Sequence, residues 1–230
     1  MKAVRRLDGW TVRAARVAVI ASVVLTVQPS SRLTAQDTIP TGYGSLRRDD
    51  IVMRFSTGTV EIQVLPLDDQ VIRLLMPDTY RSLIQLVQSR GAEIREAAQR
   101  GGTEHPSLVM VTFLAVVGQA RFNPEDLNVT SRGRLFRPVG IVPLSPTWSS
   151  YQLDARQQAV AIYLFEPGIS VREDMLVSYQ GLSSAAWVRS IRLLDQERAR
   201  VKARAQGEVR RDSVAPDSIV PPPPSPRTPR

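Results

Sequence analysis

Few side chains in this sequence could carry out acid–base or nucleophilic chemistry near neutral pH. The 230 residues include one histidine, His105, and no cysteine. Histidine is the side chain that most often exchanges protons near neutral pH, and cysteine is a strong nucleophile there. His105 lies in the motif Glu104-His105-Pro106-Ser107, where a serine triad can be imagined, but no Gly-x-Ser-x-Gly elbow accompanies it. We therefore interpret His105 as an ordinary loop residue and predict no catalytic residues.

Acidic residues recur as adjacent pairs at the ends of predicted strands. These pairs are Asp49-Asp50, Asp68-Asp69, Glu125-Asp126 and Glu173-Asp174. Carboxylates gathered at one end of a β-sandwich could bind calcium, but acids at turns also keep loops solvated and strand edges unpaired. We favour the second explanation because no EF-hand spacing is present. A zinc site would need several histidines or cysteines, so we predict neither a metal nor a cofactor.

The positive charge of the chain is concentrated at its two ends. The formal net charge is +8, but residues 36–186 carry 14 basic and 16 acidic groups. Residues 1–35 and residues 187–230 each carry a net charge of +5. Proteins that bind nucleic acid neutralise phosphates with a basic surface, and the central region does not provide one. We therefore predict no nucleic-acid partner.

Residues 1–35 have the pattern of a signal peptide. A basic start that includes Arg5 and Arg6 precedes the uncharged run Val17–Val27, and Leu33-Thr34-Ala35 supplies a small residue for cleavage. The apolar run has 11 residues, whereas a helix that crosses a membrane needs about 20. We therefore expect export to the periplasm or the extracellular space, with cleavage after Ala35 and no stable transmembrane anchor.

The next segments predict a lead-in, one folded domain and a C-terminal helix. Residues 36–49 mix Pro, Gly and Arg without periodicity, which predicts a flexible lead-in. Residues 50–186 hold most of the apolar patterning and predict a single domain. Residues 187–212 predict a basic helix with an incomplete apolar stripe. We expect its first half to dock on the domain and its second half, beyond Gln196, to project into solvent.

Residues 213–230 form a proline-rich tail. The segment contains seven prolines, including Pro221–Pro224, and this composition predicts a disordered, polyproline-like spacer. Arg227 does not complete a Pro-x-x-Pro-x-Arg motif, because Ser225 stands at the second proline position. We therefore interpret the tail as a solvated spacer and not as a ligand of a known recognition domain.

Residues 50–186 predict a mainly β fold. Short runs in which apolar and polar residues alternate are separated by turns about every 8–12 residues, which is typical of antiparallel sheets. Strands and helices do not alternate, which argues against a parallel α/β sheet. We expect an antiparallel β-sandwich, either immunoglobulin-like or an open barrel, with one inserted helix and the C-terminal helix.

Eight or nine strands are expected in this domain. The main ones are a hairpin around the turn Ser56–Thr59, a short strand at Val71–Met76, a central strand at Leu108–Val117, a hairpin over residues 127–144 with Pro138 at an edge or bulge, a buried run at Ala159–Phe165 and a last strand at Met175–Tyr179.

The inserted helix is predicted at about residues 78–100. Apolar residues recur there at helical spacing, and Asp78 can cap the first turn. Gly91 could divide the helix in two, because glycine costs about 1 kcal/mol relative to alanine in a helix interior. Gly101-Gly102 then end it.

Three of the five phenylalanines stand two residues before a proline. They occur in Phe122-Asn123-Pro124, Phe136-Arg137-Pro138 and Phe165-Glu166-Pro167. Each motif falls at the end of a predicted strand, so we interpret it as a packing feature.

The sequence favours a non-enzymatic protein of the cell envelope. We expect a β-sandwich binding or structural module that contacts a protein or surface partner. One alternative is a secreted hydrolase of carbohydrate or peptide bonds, which would need Glu104 and His105 to meet a serine or an acid from another loop in a cleft. Another is an adhesin that binds a polyanion or a membrane surface through its basic C-terminal helix.

Overall fold

The computed structural model describes residues 39–213. The predicted signal peptide, residues 1–35, and the tail beyond Ser213 lie outside the described residues. The predictions made for those two segments therefore stay predictions.

Strands make up most of the regular structure between residues 50 and 186. The strands are β1 (Met53–Ser56), β2 (Val60–Pro66), β3 (Ser107–Ala115), β4 (Ala120–Arg121), β5 (Leu127–Ser131), β6 (Arg134–Phe136), β7 (Pro138–Pro143), β8 (Gln152–Leu153), β9 (Gln158–Phe165), β10 (Met175–Tyr179) and β11 (Leu182–Ser184). The α-helices are α1 (Arg48–Ile51), α2 (Asp69–Ile72), α3 (Pro77–Ser89), α4 (Gly91–Arg100) and α5 (Trp187–Ser213). Two short 3₁₀ helices span Pro124–Asp126 and Pro146–Ser150.

The strands form three antiparallel sheets. The largest has the order β1-β2-β3-β9-β7, the second has the order β11-β10-β5-β6, and β4 pairs with β8 in a two-stranded ribbon. The predicted class, a mainly antiparallel β fold with a helical insertion and a C-terminal helix, is confirmed. The choice between an immunoglobulin-like topology and an open barrel stays a prediction.

β3 is the middle strand of the five-stranded sheet, as its long apolar run predicts. Val111 pairs with Val64 on one side and with Ala161 on the other. Met110 and Val111 point to opposite faces, and both are buried. A strand that is covered on both faces needs apolar residues at successive positions, which explains why β3 does not alternate.

The two larger sheets pack face to face through aromatic side chains. The ring of Phe113 in β3 lies with its centroid 5.5 Å from that of Tyr179 in β10. Tyr163 in β9 is on the same face of its sheet as Phe113 and is also fully buried. The described chain therefore has a sandwich core between the sheets.

The inserted helix is two helices, which meet at Arg90. Gly91 is the first residue of α4, so the break falls where the glycine predicts it. α4 lies against β7, where a Cβ atom at Gly140 would come within 3.2 Å of the Cβ of Ala97. β7 is an edge strand with an irregular register between Pro138 and Gly140, which confirms the position predicted for Pro138.

The strand predicted at Val71–Met76 is wrong. Asp68 accepts a hydrogen bond from the backbone N–H of Gln70 at 2.8 Å and caps the short helix α2. Beyond this helix, Leu75 forms an isolated parallel bridge with Leu46. An apolar run of this length suits a buried helix as well as a strand, and here the cap decides between them.

From residue 39 onwards the predicted flexible lead-in is packed against the domain. Ile39 and Leu46 are buried. The N–H of Leu46 donates to the carbonyl of Leu74 at 3.1 Å, and the N–H of Met76 donates to the carbonyl of Leu46 at 2.9 Å. These contacts come from residues more than 25 positions away, and local composition does not reveal them.

The prediction that α5 projects into solvent beyond Gln196 is also wrong. Glu197 and Val201 are fully buried. Glu197 Oε1 accepts hydrogen bonds from the N–H of Ser45 at 2.9 Å, from Ser45 Oγ at 2.8 Å and from Arg204 at 2.9 Å. Arg204 also donates to the carbonyl of Tyr43. The second half of α5 is therefore held by the segment that precedes α1.

These partners change the acidity of Glu197. Burial alone would raise the pKa of its carboxyl group, but the hydrogen bonds from Ser45 and Arg204 and the charge of Arg204 outweigh burial and lower the pKa below its ordinary value. The carboxylate form is therefore favoured in the folded protein.

We expect Gly44→Ala to destabilise the protein by about 1–3 kcal/mol, which is typical of overpacking. A Cβ atom at Gly44 would lie 2.3 Å from the backbone oxygen of Leu75 and would push the segment away from the domain. Gly118→Ala is the matched control, because nothing lies within 4 Å of the corresponding position. Thermal unfolding of both variants checks this, and equal melting temperatures would contradict it.

We expect Glu197→Gln to destabilise the protein by about 1–3 kcal/mol at neutral pH, because the buried charge-assisted hydrogen bonds are weakened. Because the pKa of Glu197 is lower in the folded protein than its ordinary value of 4.5, its carboxylate stabilises the fold at pH values above 4.5. This stabilisation is lost as the pH falls through the lowered pKa. The difference between parent and variant should therefore shrink in urea unfolding below about pH 4. Glu96→Gln, at an exposed helix pair, is the control, and a difference that does not vary with pH would contradict the prediction.

Candidate functional site

Glu104 and His105 are exposed and line one depression together, and His105 also lines a second. One has a volume of about 400 Å³ and is also lined by Glu166 and Arg134, which pair with each other. The other, of about 310 Å³, includes His105, Ser107 and Asp68. Within residues 39–213 the imidazole of His105 forms no hydrogen bond with these groups. The depressions bring the residue types of a hydrolase together without the bonded geometry of a triad.

Each acidic doublet uses at least one carboxylate in a local contact. The contacts are Asp49 with Arg54, Asp68 with the start of α2, Asp126 with Asn123 and Gln180, and Glu173 with Arg132. The hydrogen bonds from Arg132 lower the pKa of Glu173. In the part of the chain that the structure describes, no three His, Asp or Glu side chains lie close enough together to hold a metal ion.

A larger groove lies beside the edge strand β7. Its volume is about 1080 Å³, slightly above the range of about 300–1,000 Å³ that is usual for ligand sites in proteins. One wall is the strand itself, residues 137–143, and the other consists of residues 122–125 and 148–151. The lining residues are Phe122, Asn123, Pro124, Glu125, Arg137, Pro138, Val139, Gly140, Ile141, Pro143, Trp148, Ser149 and Tyr151.

The ribbon of β4 and β8 assembles the aromatic wall. β4 ends just before Phe122, and β8 begins just after Tyr151. The N–H of Phe122 donates to the carbonyl of Tyr151 at 3.1 Å, which places their side chains at one end of the ribbon with ring centroids 6.0 Å apart. The 3₁₀ helix Pro146–Ser150 then brings Trp148 to 5.4 Å from Phe122.

The aromatic wall is continuous with the core of the sandwich. Phe113 stacks on Phe122 with centroids 4.8 Å apart and lies 5.9 Å from Trp148. Trp148 makes an edge contact with Tyr163 at 6.0 Å. Aromatic pairs in this geometry add to the stabilisation from buried area, so the core fixes the position of the wall.

Two tyrosine hydroxyls hold the turn at residues 123–126. Tyr163 Oη donates to the carbonyl of Pro124 at 2.9 Å, and the N–H of Asn123 donates to Tyr179 Oη at 2.8 Å. Burial raises the pKa of both tyrosines, so both hydroxyls stay protonated at physiological pH. Buried polar groups are costly unless they are paired, and these pairs fix the turn to both sheets.

Two features of the aromatic wall are unpaired and face outwards. Tyr151 has 53% of its surface exposed and a left-handed backbone with φ of 51°, which costs about 1–2 kcal/mol for a residue other than glycine. Trp148 is only 5% exposed, yet within residues 39–213 its indole N–H donates no hydrogen bond. The indole nitrogen of Trp148 is not shielded from solvent, so its N–H is accessible from outside. Trp187, in contrast, donates its indole N–H to the carbonyl of Val171 at 3.2 Å.

The opposite wall consists of Arg137 and residues of β7, where the backbone oxygen of Val139 lies close to Gly101. β7 pairs with β9 on one side and is the last strand of its sheet on the other. An edge strand offers N–H and C=O groups to another chain, although Pro138 and Pro143 supply no N–H. Arg137 and Glu125 are exposed near this groove, and neither has an ion pair within the described residues. The groove therefore combines an apolar wall, backbone hydrogen-bonding groups and one charge of each sign.

Sequence analysis did not predict this groove as a site. Two of the three Phe-x-Pro motifs, at residues 122–124 and 136–138, border it. Their position at strand ends was the available signal, but nothing in the sequence shows that β7 and residues 122–125 face each other. That arrangement depends on the pairing of β4 with β8 and of β7 with β9.

Comparison of the chain with protein-family models, with curated proteins and with solved structures found no match. Among the helices of residues 39–213, none is both long enough and apolar enough to cross a membrane. The geometry of the groove is therefore the feature of this protein that bears on its function.

We expect Tyr163→Phe and Tyr179→Phe each to destabilise the protein by about 1–3 kcal/mol, because each leaves a buried backbone group of the turn without its partner. Tyr151→Phe removes a hydroxyl that forms no hydrogen bond within residues 39–213 and should change stability by less than about 0.5 kcal/mol. Urea unfolding measures all three, and a loss at Tyr151 as large as that at Tyr163 would contradict the prediction.

Proposed function

We propose that this protein is an exported, non-enzymatic binding module of the cell envelope that holds an extended segment of a protein partner in the groove beside β7. The observation that supports this most directly is the pairing of an open strand edge with an aromatic wall across one groove. Extended peptides bind at such sites either as an added strand with backbone hydrogen bonds or as a polyproline helix packed on aromatic side chains.

The indole N–H of Trp148 suits such a ligand. A donor at an otherwise apolar surface would pair with a carbonyl of a bound peptide, and the surrounding rings would exclude water from that bond. Tyr151 adds an exposed ring, and its left-handed backbone, which ends the 3₁₀ helix Pro146–Ser150, fixes where that ring stands.

A secreted hydrolase is the second candidate. The depression that Glu104 and His105 share with Glu166 favours it, because these residue types can exchange protons. Glu166 is already paired with Arg134, which leaves the carboxylate of Glu104 as the partner for His105. Loss of a hydrolytic activity in His105→Ala, with the groove variants unaffected, would favour this candidate over the binding module.

An adhesin that acts through α5 has less support. The apolar positions Trp187, Leu194 and Val201 are buried, and Glu197 with Arg204 holds the second half of the helix on the domain. A helix that lies on a membrane inserts its apolar face, so α5 would first have to detach.

A photo-crosslinking amino acid at position 151 should form crosslinks to a partner in intact cells. Leu135 is the matched control site, because it is 52% exposed against 53% for Tyr151 and lies outside the groove. Mass spectrometry should locate the crosslinks from position 151 in one extended segment of an envelope protein.

Trp148→Phe should reduce these crosslinks about tenfold, because it removes one buried hydrogen-bond donor worth about 1.4 kcal/mol. Its stability is measured in parallel, so that a loss of folding is separated from a loss of binding. Equal crosslinking from positions 135 and 151, or no effect of Trp148→Phe in a folded protein, would contradict the proposal.

A further inference from the structure

The groove has the chemistry to recognise a polyproline helix, and this chain carries one candidate for that conformation. We infer that the groove beside β7 binds the proline-rich tail of this protein, through the segment Pro221–Pro226. The inference rests on the proposed function, since it assigns an occupant to the same groove. The tail would then compete with an external partner and regulate access to it.

The aromatic wall favours a polyproline ligand over a β-strand. A polyproline helix has no internal hydrogen bonds, so its carbonyls are free to accept from donors such as the indole N–H of Trp148. Proline rings pack on aromatic faces, which is how such segments are commonly recognised. Tyr151, which is 53% exposed, supplies the accessible face, and the buried rings of Phe122 and Trp148 support it from beneath.

The prolines of β7 also favour a polyproline ligand over an added β-strand. An added β-strand would need regular donors along β7, but Pro138 and Pro143 at its two ends provide none. A proline-rich ligand has few N–H groups to satisfy and gives up little when these donors are missing. The cost of ordering it is also small, because proline restricts the free chain.

The lengths of the groove wall and of the tail segment agree. β7 has six residues, which span about 20 Å at about 3.3 Å per residue. Pro221–Pro226 also has six residues, and a polyproline helix rises about 3.1 Å per residue, so it covers about 19 Å. Five of these six residues are proline.

The length of chain between α5 and this segment limits how far the proline run can reach. Eight residue steps separate Ser213, the end of α5, from Pro221, and an extended chain covers at most about 26–29 Å over that distance.

Charges at the rim match those that flank the proline run. Glu125 is exposed and has no ion pair within the described residues, and Arg227 follows the run directly. Arg137 offers the opposite charge, and Asp217 precedes the run. Exposed pairs of this kind contribute orientation more than affinity.

The experiment compares the indole N–H signals of Trp148 and Trp187 by NMR in the full chain. The test variant changes each residue of Pro221–Pro224 to Ser, and Pro216→Ser is the matched control outside the run. Trp148→Phe assigns the Trp148 signal. Because Trp187 donates to Val171 in the core, its signal is an internal reference.

We expect the Trp148 signal to move by more than its line width in the test variant, while the Trp187 signal and the Pro216→Ser spectrum stay unchanged. A synthetic peptide of residues 214–230, added to the test variant, should return the Trp148 signal to its original position in a saturable way. Glu125→Ala should weaken that titration without moving the Trp187 signal.

A Trp148 signal that is the same in the full chain and the test variant, and that does not respond to the peptide, would overturn the inference. If the crosslinks from position 151 to an envelope protein persist in that case, the groove is a binding site with another occupant and only the tail assignment fails. If those crosslinks are absent as well, the proposed function fails with it.

Discussion

The aromatic core between the two larger sheets also determines the shape of the groove. Phe113 contacts Tyr179 across the sandwich and Phe122 and Trp148 beside it, so the same ring contributes to folding and to the site. Protein interiors are close-packed and resist local change. The wall of the groove therefore cannot shift independently of the core, and its surface is formed as part of folding.

The groove lies beside one of the two edge strands of the five-stranded sheet, and the two edges have different surroundings. On one side of the five-stranded sheet, β1 is the last strand and lies close to β11 of the second sheet. On the other side, β7 has no further strand beside it, and α4 packs against it where Gly140 allows a close approach. Prolines at both ends of β7 discourage pairing between sheets, which leaves the edge available to a ligand that does not need a full ladder.

The strands with strong local patterns could be predicted from the sequence, and the contacts between distant segments could not. β3 and β9 are apolar enough to be recognised alone, and Gly91 indicates the break between α3 and α4. Val71–Met76 has the composition of a strand, but the cap at Asp68 decides its structure. The burial of Glu197 depends on Ser45, which is 152 residues away, and the groove depends on strand pairing. Composition carries no information on such long-range contacts.

The bond between Ser45 and Glu197 has a consequence for the order in which the protein acquires its structure. Ser45 and Glu197 are 152 residues apart, and contacts between distant positions form late in folding. The bonds of Leu46 with Leu74 and Met76 span fewer residues and can form earlier. The segment that precedes α1 is therefore seated on the domain first and secured by α5 afterwards.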